Sequence, residues 1–186
     1  TIGNGVTNIG TYAFASCTNL RNLVVGNRVY NIGDHSFDWC RSMTNATISD
    51  AVTRIEDYAF NNCTTLKTVT LGSNVLSLGA SAFRECGALT KFNIPNSVKN
   101  IDGGAFGYCD GLTNITFGTG LTNIGSGAFA NCSSLRNVNI PDNVISLQSS
   151  AFSYCFSLTN VAIGNGTTNI GANAFQSCSG MKTATI

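Results

Sequence analysis

Eight cysteines and a single histidine are the residues of this 186-residue sequence best equipped for chemistry. The cysteines are Cys17, Cys40, Cys63, Cys86, Cys109, Cys132, Cys155 and Cys178, each 23 residues from the next. Eight thiols in an exported chain would ordinarily be read as four disulfides. The spacing argues against that reading. A residue that recurs once per structural unit stacks on its own image, so neighbouring thiols point in parallel and not toward each other, which is poor geometry for a bridge. A column of buried free thiols acting as small hydrophobes is the expectation. Zinc chemistry lacks its usual ligands, because no Cys-x-x-Cys pair occurs and His35 has no second histidine to join it. Hydrolytic chemistry requires a nucleophile, a base and an orienting acid in reach of one another. Asp34, Asp38 and Asp57 lie near His35 in phase, but a charged patch on one irregular unit reads as solvated surface, with His35 a solvent-facing substitute for Tyr12 and Tyr58. No catalytic, cofactor-binding or metal-binding residues are expected.

The elements that position these residues follow from the same period. The stretch IGTYAFASC at residues 9–17 returns as IGSGAFANC at 124–132. Written as one unit, the sequence is [G/P/S]-x-x-V-x-x-I-G-x-x-A-F-x-x-C-x-x-L-x-x-[V/I]-x-[I/V/L], in eight copies without insertion. A unit of this length cannot cover its own Phe, Ile, Val and Leu side chains, so its neighbours must, and the chain is a stacked solenoid. Leu23 and Val25 alternate inward with Asn22 and Val24 outward, as in a strand. Val29 and Ile32, three apart, fit a short extended piece on the opposite wall. Ala13, Phe14, Cys17 and Leu20 have the spacing of one helical turn. The expected fold is thus an α/β-type repeat solenoid, mainly β: a right-handed superhelix of eight 23-residue coils with a parallel sheet on one face and short helical turns. It forms a single unit over residues 1–186, about 40 Å long at the inter-strand spacing of a sheet. Starting with Thr1-Ile2, the end of a strand unit, and showing no evident caps, the sequence reads as a segment of a longer chain or as a processed one.

A second period of 46 runs beneath the first. Units with Gly33, Gly79 and Gly125 alternate with units carrying Glu56, Asp102 and Gln148 at the same place. Since non-glycine residues share the position, it cannot strictly need a positive φ, and glycine there is read as convenience within paired, duplicated units.

The repeat resembles the BspA-like leucine-rich repeats of bacterial and protist surface proteins. The A-F-x-x-C core carries the likeness across all eight units, although the places of the inward Asn of commoner leucine-rich repeats hold Arg28, Ala51 and Asn74, so no Asn ladder of the usual kind is expected. The resemblance implies cell-surface or extracellular display and adhesion to host matrix proteins or other cells. It implies no enzyme and transfers no binding residues.

Composition narrows the partners. Charged residues make up 10% of the chain, against roughly 25% in ordinary domains. The formal net charge of +1, with basic residues scattered along the sequence, gives no electrostatic reason to expect nucleic acid. No run of about 18 apolar residues could insert in a membrane. The five Asn-x-Ser/Thr sequons (Asn45, Asn62, Asn114, Asn131, Asn165) are what so Asn- and Thr-rich a chain produces by chance. What remains is surface. Outward strand positions form two columns, one with Asn22, Asn45, Lys91, Asn114 and Asn137, the other with Thr47, Thr70, Asn93, Thr116 and Asn139. A third column carries Trp39, Tyr108 and Tyr154. These residues are the candidate docking surface for a protein or glycan. The alternative is a structural protein that associates end to end through its terminal coils into a filament.

Overall fold

The computed structural model describes all residues, 1–186, and contains sixteen short strands and no helix. In chain order they are β1 (Asn8–Ile9), β2 (Asn22–Val24), β3 (Asn31–Ile32), β4 (Asn45–Thr47), β5 (Arg54–Ile55), β6 (Thr68–Thr70), β7 (Ser77–Leu78), β8 (Lys91–Asn93), β9 (Asn100–Ile101), β10 (Asn114–Thr116), β11 (Asn123–Ile124), β12 (Asn137–Ile140), β13 (Ser146–Leu147), β14 (Asn160–Ile163), β15 (Asn169–Ile170) and β16 (Thr183–Thr185). Every pairing is parallel and in register across 23 residues, for instance Asn22 with Asn45 and Ile32 with Ile55. Each coil therefore rests on the same residues of the coil before it.

The coil has three walls. The odd-numbered strands form one unbroken eight-stranded sheet, so the Val-x-x-Ile segment, expected only as an extended piece, is the most continuous ladder of the molecule. The even-numbered strands form the wall predicted from Leu23 and Val25, but in two sheets, β2-β4-β6 and β8-β10-β12-β14-β16.

The third wall is where the expectation of helical turns fails. Each coil there holds two residues in the left-handed region, four apart: Tyr12 and Ser16, His35 and Trp39, Tyr58 and Asn62, and so on to Asn173 and Ser177. A residue with φ near +57° cannot continue a right-handed helix, and for a non-glycine residue it costs about 1–2 kcal/mol. The backbone bonds explain what holds it there. The N–H groups of Ala13, Ala15 and Cys17 donate to carbonyls of their own coil, at Gly10, Tyr12 and Phe14. Those of Tyr12, Phe14 and Ser16 donate to the next coil, at Asp34, Ser36 and Asp38, over 3.0, 2.8 and 2.7 Å. Consecutive tight turns with alternate N–H groups aimed along the stack bring Ala, Phe and Cys inward at the spacing that a helix would have given.

Inside lie 48 buried apolar residues in one continuous core. The phenylalanines from Phe14 to Phe175 stack face to face, with centroids 5.0–5.4 Å apart. Phe92, inward from β8, meets Phe83 and Phe106 edge-on at 5.1 and 4.7 Å. All eight cysteines are free. They are more than small hydrophobes. From Cys40 onward each thiol donates to the carbonyl of the phenylalanine one coil earlier, as Cys63 does to Phe37 at 3.2 Å and Cys109 to Phe83 at 3.1 Å.

The 46-residue superperiod also acquires a physical cause. Asn4, Asp50, Asn96 and Asp142 accept the N–H of Asn27, Ser73, Thr119 and Asn165 in the next coil, at 3.2, 2.7, 3.0 and 2.9 Å. No such bond joins the intervening coil pairs, so coils are latched two by two. The glycines of the second coil of each pair are not a convenience. A Cβ on Gly79 would lie 2.6 Å from the carbonyl carbon of Glu56, and one on Gly120 would collide with the carbonyl oxygen of Asn96. Gly79 keeps a negative φ, as expected, and is required by close approach.

Candidate functional site

The strand wall and its neighbour on the Ala-Phe side hold every residue singled out from the sequence, but not together. Asn22, Asn45, Lys91, Asn114 and Asn137 are exposed on the strand wall, as are Thr47, Thr70, Asn93, Thr116 and Asn139. Trp39, Tyr108 and Tyr154 lie one wall away, each at a left-handed φ of 59–62°.

The two strand-wall columns differ in what they leave free. In the first, the amides bond along the stack. Asn45 Nδ2 donates to Asn22 Oδ1 and Asn160 Nδ2 to Asn137 Oδ1, both at 2.8 Å, and Thr183 Oγ1 donates to Asn160 Oδ1 at 2.7 Å. Only Lys91 and Asn114 stand outside these runs. In the second column, the side chains of Thr47, Thr70, Asn93, Thr116, Asn139 and Thr185 have no intramolecular hydrogen bond at all. The first column is structural. The second offers its donors and acceptors to solvent or to a partner.

A seam crosses this wall where β6 and β8 fail to pair. Ile48 and Ile94 donate their N–H to Thr70 and Thr116 of the next coil, whereas the matching N–H of Leu71 has no such bond, an absence it shares with Phe117, and that of Thr90 lacks the bond to the previous coil that Thr44, Lys67 and Thr113 make. Val69 is only half buried where its counterparts Leu23 and Ile115 are buried. The result is an open groove of about 400 Å³ lined by Val69, Thr70, Leu71, Asn93, Ile94 and Pro95, with Asp50 and Ser73 at its turn end. The seam falls between two latched coil pairs and beside Phe92, whose ring leans toward Phe106.

Charge is distributed unevenly, which overturns the reading of scattered basic residues. The eight six-residue wall segments, LRNLVV to MKTATI, hold Arg21, Lys67, Lys91, Arg136 and Lys182 and no acid. The other surfaces hold the remaining five cations and all nine acids, a net −4. None of the five wall cations forms an ion pair; the three pairs of the molecule are His35–Asp38, Arg54–Glu56 and Arg84–Glu85. Sequence reasoning missed this column, although phasing by 23 places Arg21, Lys67, Arg136 and Lys182 at one repeat position.

On the Ala-Phe wall the aromatic faces are already occupied. The Arg41 guanidinium lies 4.2 Å from the Trp39 ring centre and that of Arg84 4.4 Å from Tyr108, both within cation–π range. Tyr154 meets Phe156 edge-on at 6.2 Å. His35 is half-buried and faces solvent only in part. It is sandwiched between Tyr12 and Tyr58 at 4.6 Å on each side, and its Nδ1 is 2.8 Å from Asp38 Oδ2. Asp38 in turn accepts from Asn61 Nδ2 at 2.9 Å. The ring's place in the stack and its carboxylate partner account for it structurally, and no group of three or more His, Cys, Asp or Glu is placed to hold a metal ion.

A parallel stack of eight leucine-rich coils with an exposed polar strand wall defines a leucine-rich-repeat solenoid. The profile of the BspA type leucine rich repeat region matches in six copies, over residues 1–113 and 100–186, and the chain belongs to that family. No functionally curated protein matches it. Among solved structures, a leucine-rich repeat protein from Bacteroides ovatus is 23% identical with a TM-score of 0.78, over 96% of this chain and 58% of its own. A leucine-rich repeat protein of T. pallidum is 27% identical with a TM-score of 0.69, over 95% and 72%. A leucine rich cell surface protein from Faecalibacterium prausnitzii is 25% identical with a TM-score of 0.61, over 97% and 63%. The chain thus spans about three-fifths of the first and last of these.

Proposed function

We propose that the chain is a non-enzymatic interaction module displayed at the cell surface, and that it holds a protein or glycan partner on its strand wall. The observation that carries this reading is the second wall column, whose hydroxyls and amides are exposed and unpartnered over consecutive coils while the first column is consumed in stacking. Solenoids offer such extended faces for binding. The F. prausnitzii relative described as a cell surface protein supports surface display. Host matrix proteins and surface glycans are the partner classes that the family resemblance brings forward. The aromatic set of Trp39, Tyr108 and Tyr154 contributes less, because guanidinium groups cover two of the three rings.

An array of matrix proteins and glycans tests this. Saturable binding that is lost when Thr116, Asn139 and Asn93 are replaced together by alanine is the expected result. Binding that survives that change but falls on replacing Tyr108 and Trp39 would move the site to the other wall.

The filament alternative has its own support, since Phe14 at one end of the ring stack is 37% exposed and the outer edges of β2 and β16 lack a strand partner. A further coil of the same repeat fits these surfaces as well as a second copy does. Sedimentation over a range of concentrations separates the two, growth with concentration marking self-association.

A further inference from the structure

The strand wall carries a charge pattern that narrows its partner. Arg21 and Lys67 occupy the same repeat position two coils apart, and so do Arg136 and Lys182, with Lys91 in the adjoining column between the two pairs. All five are exposed, none has an ion-pair partner, and no carboxylate lies on the wall segments, Asp50 and Asp142 bordering them from the turns that follow the strands. At about 4.8 Å per coil, cations two coils apart are about 9.6 Å apart along the stack.

From this pattern we infer that the wall binds a linear acidic polysaccharide lying along the solenoid axis, with about one carboxylate or sulfate per disaccharide. The inference rests on the strand-wall reading above and gives it a substrate class. Three features select this partner. The cation spacing is of the order of one extended disaccharide, whereas a nucleic acid strand carries a phosphate about every 3.4 Å and would leave most of its charges unmet. The second column runs parallel to the cations, with the first column between them, and Thr47, Thr70, Asn93, Thr116 and Asn139 supply hydroxyl and amide groups suited to sugar hydroxyls. An anionic membrane would call for apolar groups to insert beside the charges, and along the wall only Val24 and the terminal Ile186 are exposed large hydrophobics. The net −4 of the other walls keeps a polyanion from wrapping the rod, so the site is one-sided.

The test titrates the whole chain with hyaluronan, which carries one carboxylate per disaccharide, with neutral dextran, with a single-stranded DNA oligonucleotide and with vesicles rich in phosphatidylserine. Saturable binding of hyaluronan is expected, weakening roughly tenfold between about 50 and 200 mM salt, with little binding of dextran. Replacing Arg21, Lys67, Lys91, Arg136 and Lys182 by glutamine should weaken it by at least about tenfold, and replacing Arg28, Arg54 and Lys99 on the other surfaces by less than about twofold. The five wall side chains are exposed and unpaired, and the one ion pair lost in the control, Arg54–Glu56, lies at the surface where such a pair is worth about 0–1 kcal/mol, so both variants should keep the native circular dichroism and nearly the native melting temperature.

Equal losses in the two variants, no hyaluronan binding at low salt, or tighter binding of the DNA or the vesicles would each overturn the inference. A partner that depends on Thr116 and Asn139 but is indifferent to the five glutamines would overturn it while leaving the wall as the interaction face.

Discussion

The Cys86 thiol donates to the carbonyl oxygen of Phe60, 3.3 Å away and one coil earlier. The same carbonyl already accepts the N–H of Cys63 at 3.3 Å, so loss of the thiol would not orphan it. Cys86→Ala should therefore cost about 1–2 kcal/mol, from lost packing and one weak bond, and less than the 3–5 kcal/mol of a buried Phe→Ala change such as Phe83→Ala. Urea unfolding of the two variants checks the order. Equal costs would mean that the thiol ladder matters more than the geometry indicates.

Thiol labelling of the native chain should modify Cys17, which is exposed, and leave the six buried thiols from Cys40 to Cys155 unreacted until unfolding. Cys178 is half-buried and should react slowly. Fewer than eight thiols titrating in denaturant without reductant would contradict the free-thiol core.

Alkaline pH should unfold the chain. Burial pushes the Cys40 thiol up to about 11 and the Cys109 thiol up to about 12, from an ordinary 9.0. Below pH 9.0 the thiols are protonated in both states and their contribution is fully present. As pH rises further the unfolded state releases protons first, so stability falls by about 1.4 kcal/mol per pH unit for a fully buried thiol such as Cys109, until its folded value is reached. Melting temperatures measured from pH 7 to 11 should decline above 9. A flat profile would mean that the thiols are solvated.

Glycine replacements should separate close approach from mere composition. Gly120→Ala drives a Cβ into the Asn96 carbonyl and should cost about 1–3 kcal/mol, whereas Gly87→Ala meets nothing within 4 Å and should be neutral or stabilising by about 0.4–1 kcal/mol. Thermal melts of the two variants suffice, and the same penalty at both sites would refute the latched-pair description.

Much of this was legible in the sequence, and the reasons differ for the parts that were not. The inward Phe and Leu columns, the exposed Asn and Thr rows and the absence of disulfides follow from a period that never slips. Helical turns were misread because the left-handed positions hold Tyr12, His35, Trp39 and Glu85, residue types that do not advertise that conformation. Only Gly104 and Gly127, with Asn62, Asn131 and Asn173, hint at it. The role of Gly79 was missed because close approach of two backbones leaves no mark on φ. The cation column was present in the phasing but hidden by a net charge near zero. The split between β6 and β8 had no sequence signal beyond the bulk of Phe92 and the missing N–H of Pro95.

The seam makes a prediction of its own. The N–H groups of Leu71 and Thr90 should exchange at least about tenfold faster than those of Ile48 and Thr113, which are bonded at 2.9 Å to Thr70 and Thr90. Comparable protection of all four would mean that the strand wall is continuous in solution.

The claim on which the functional account turns is that partners dock on the strand wall. The direct measurement is the amide hydrogen-exchange footprint of a bound partner from the binding array. Protection concentrated on the segments around Thr47, Thr70, Asn93, Thr116 and Asn139, with the Ala-Phe wall unchanged, is the predicted result. Protection centred on Tyr58, Tyr108 and Tyr154, with the strand wall unchanged, would contradict it.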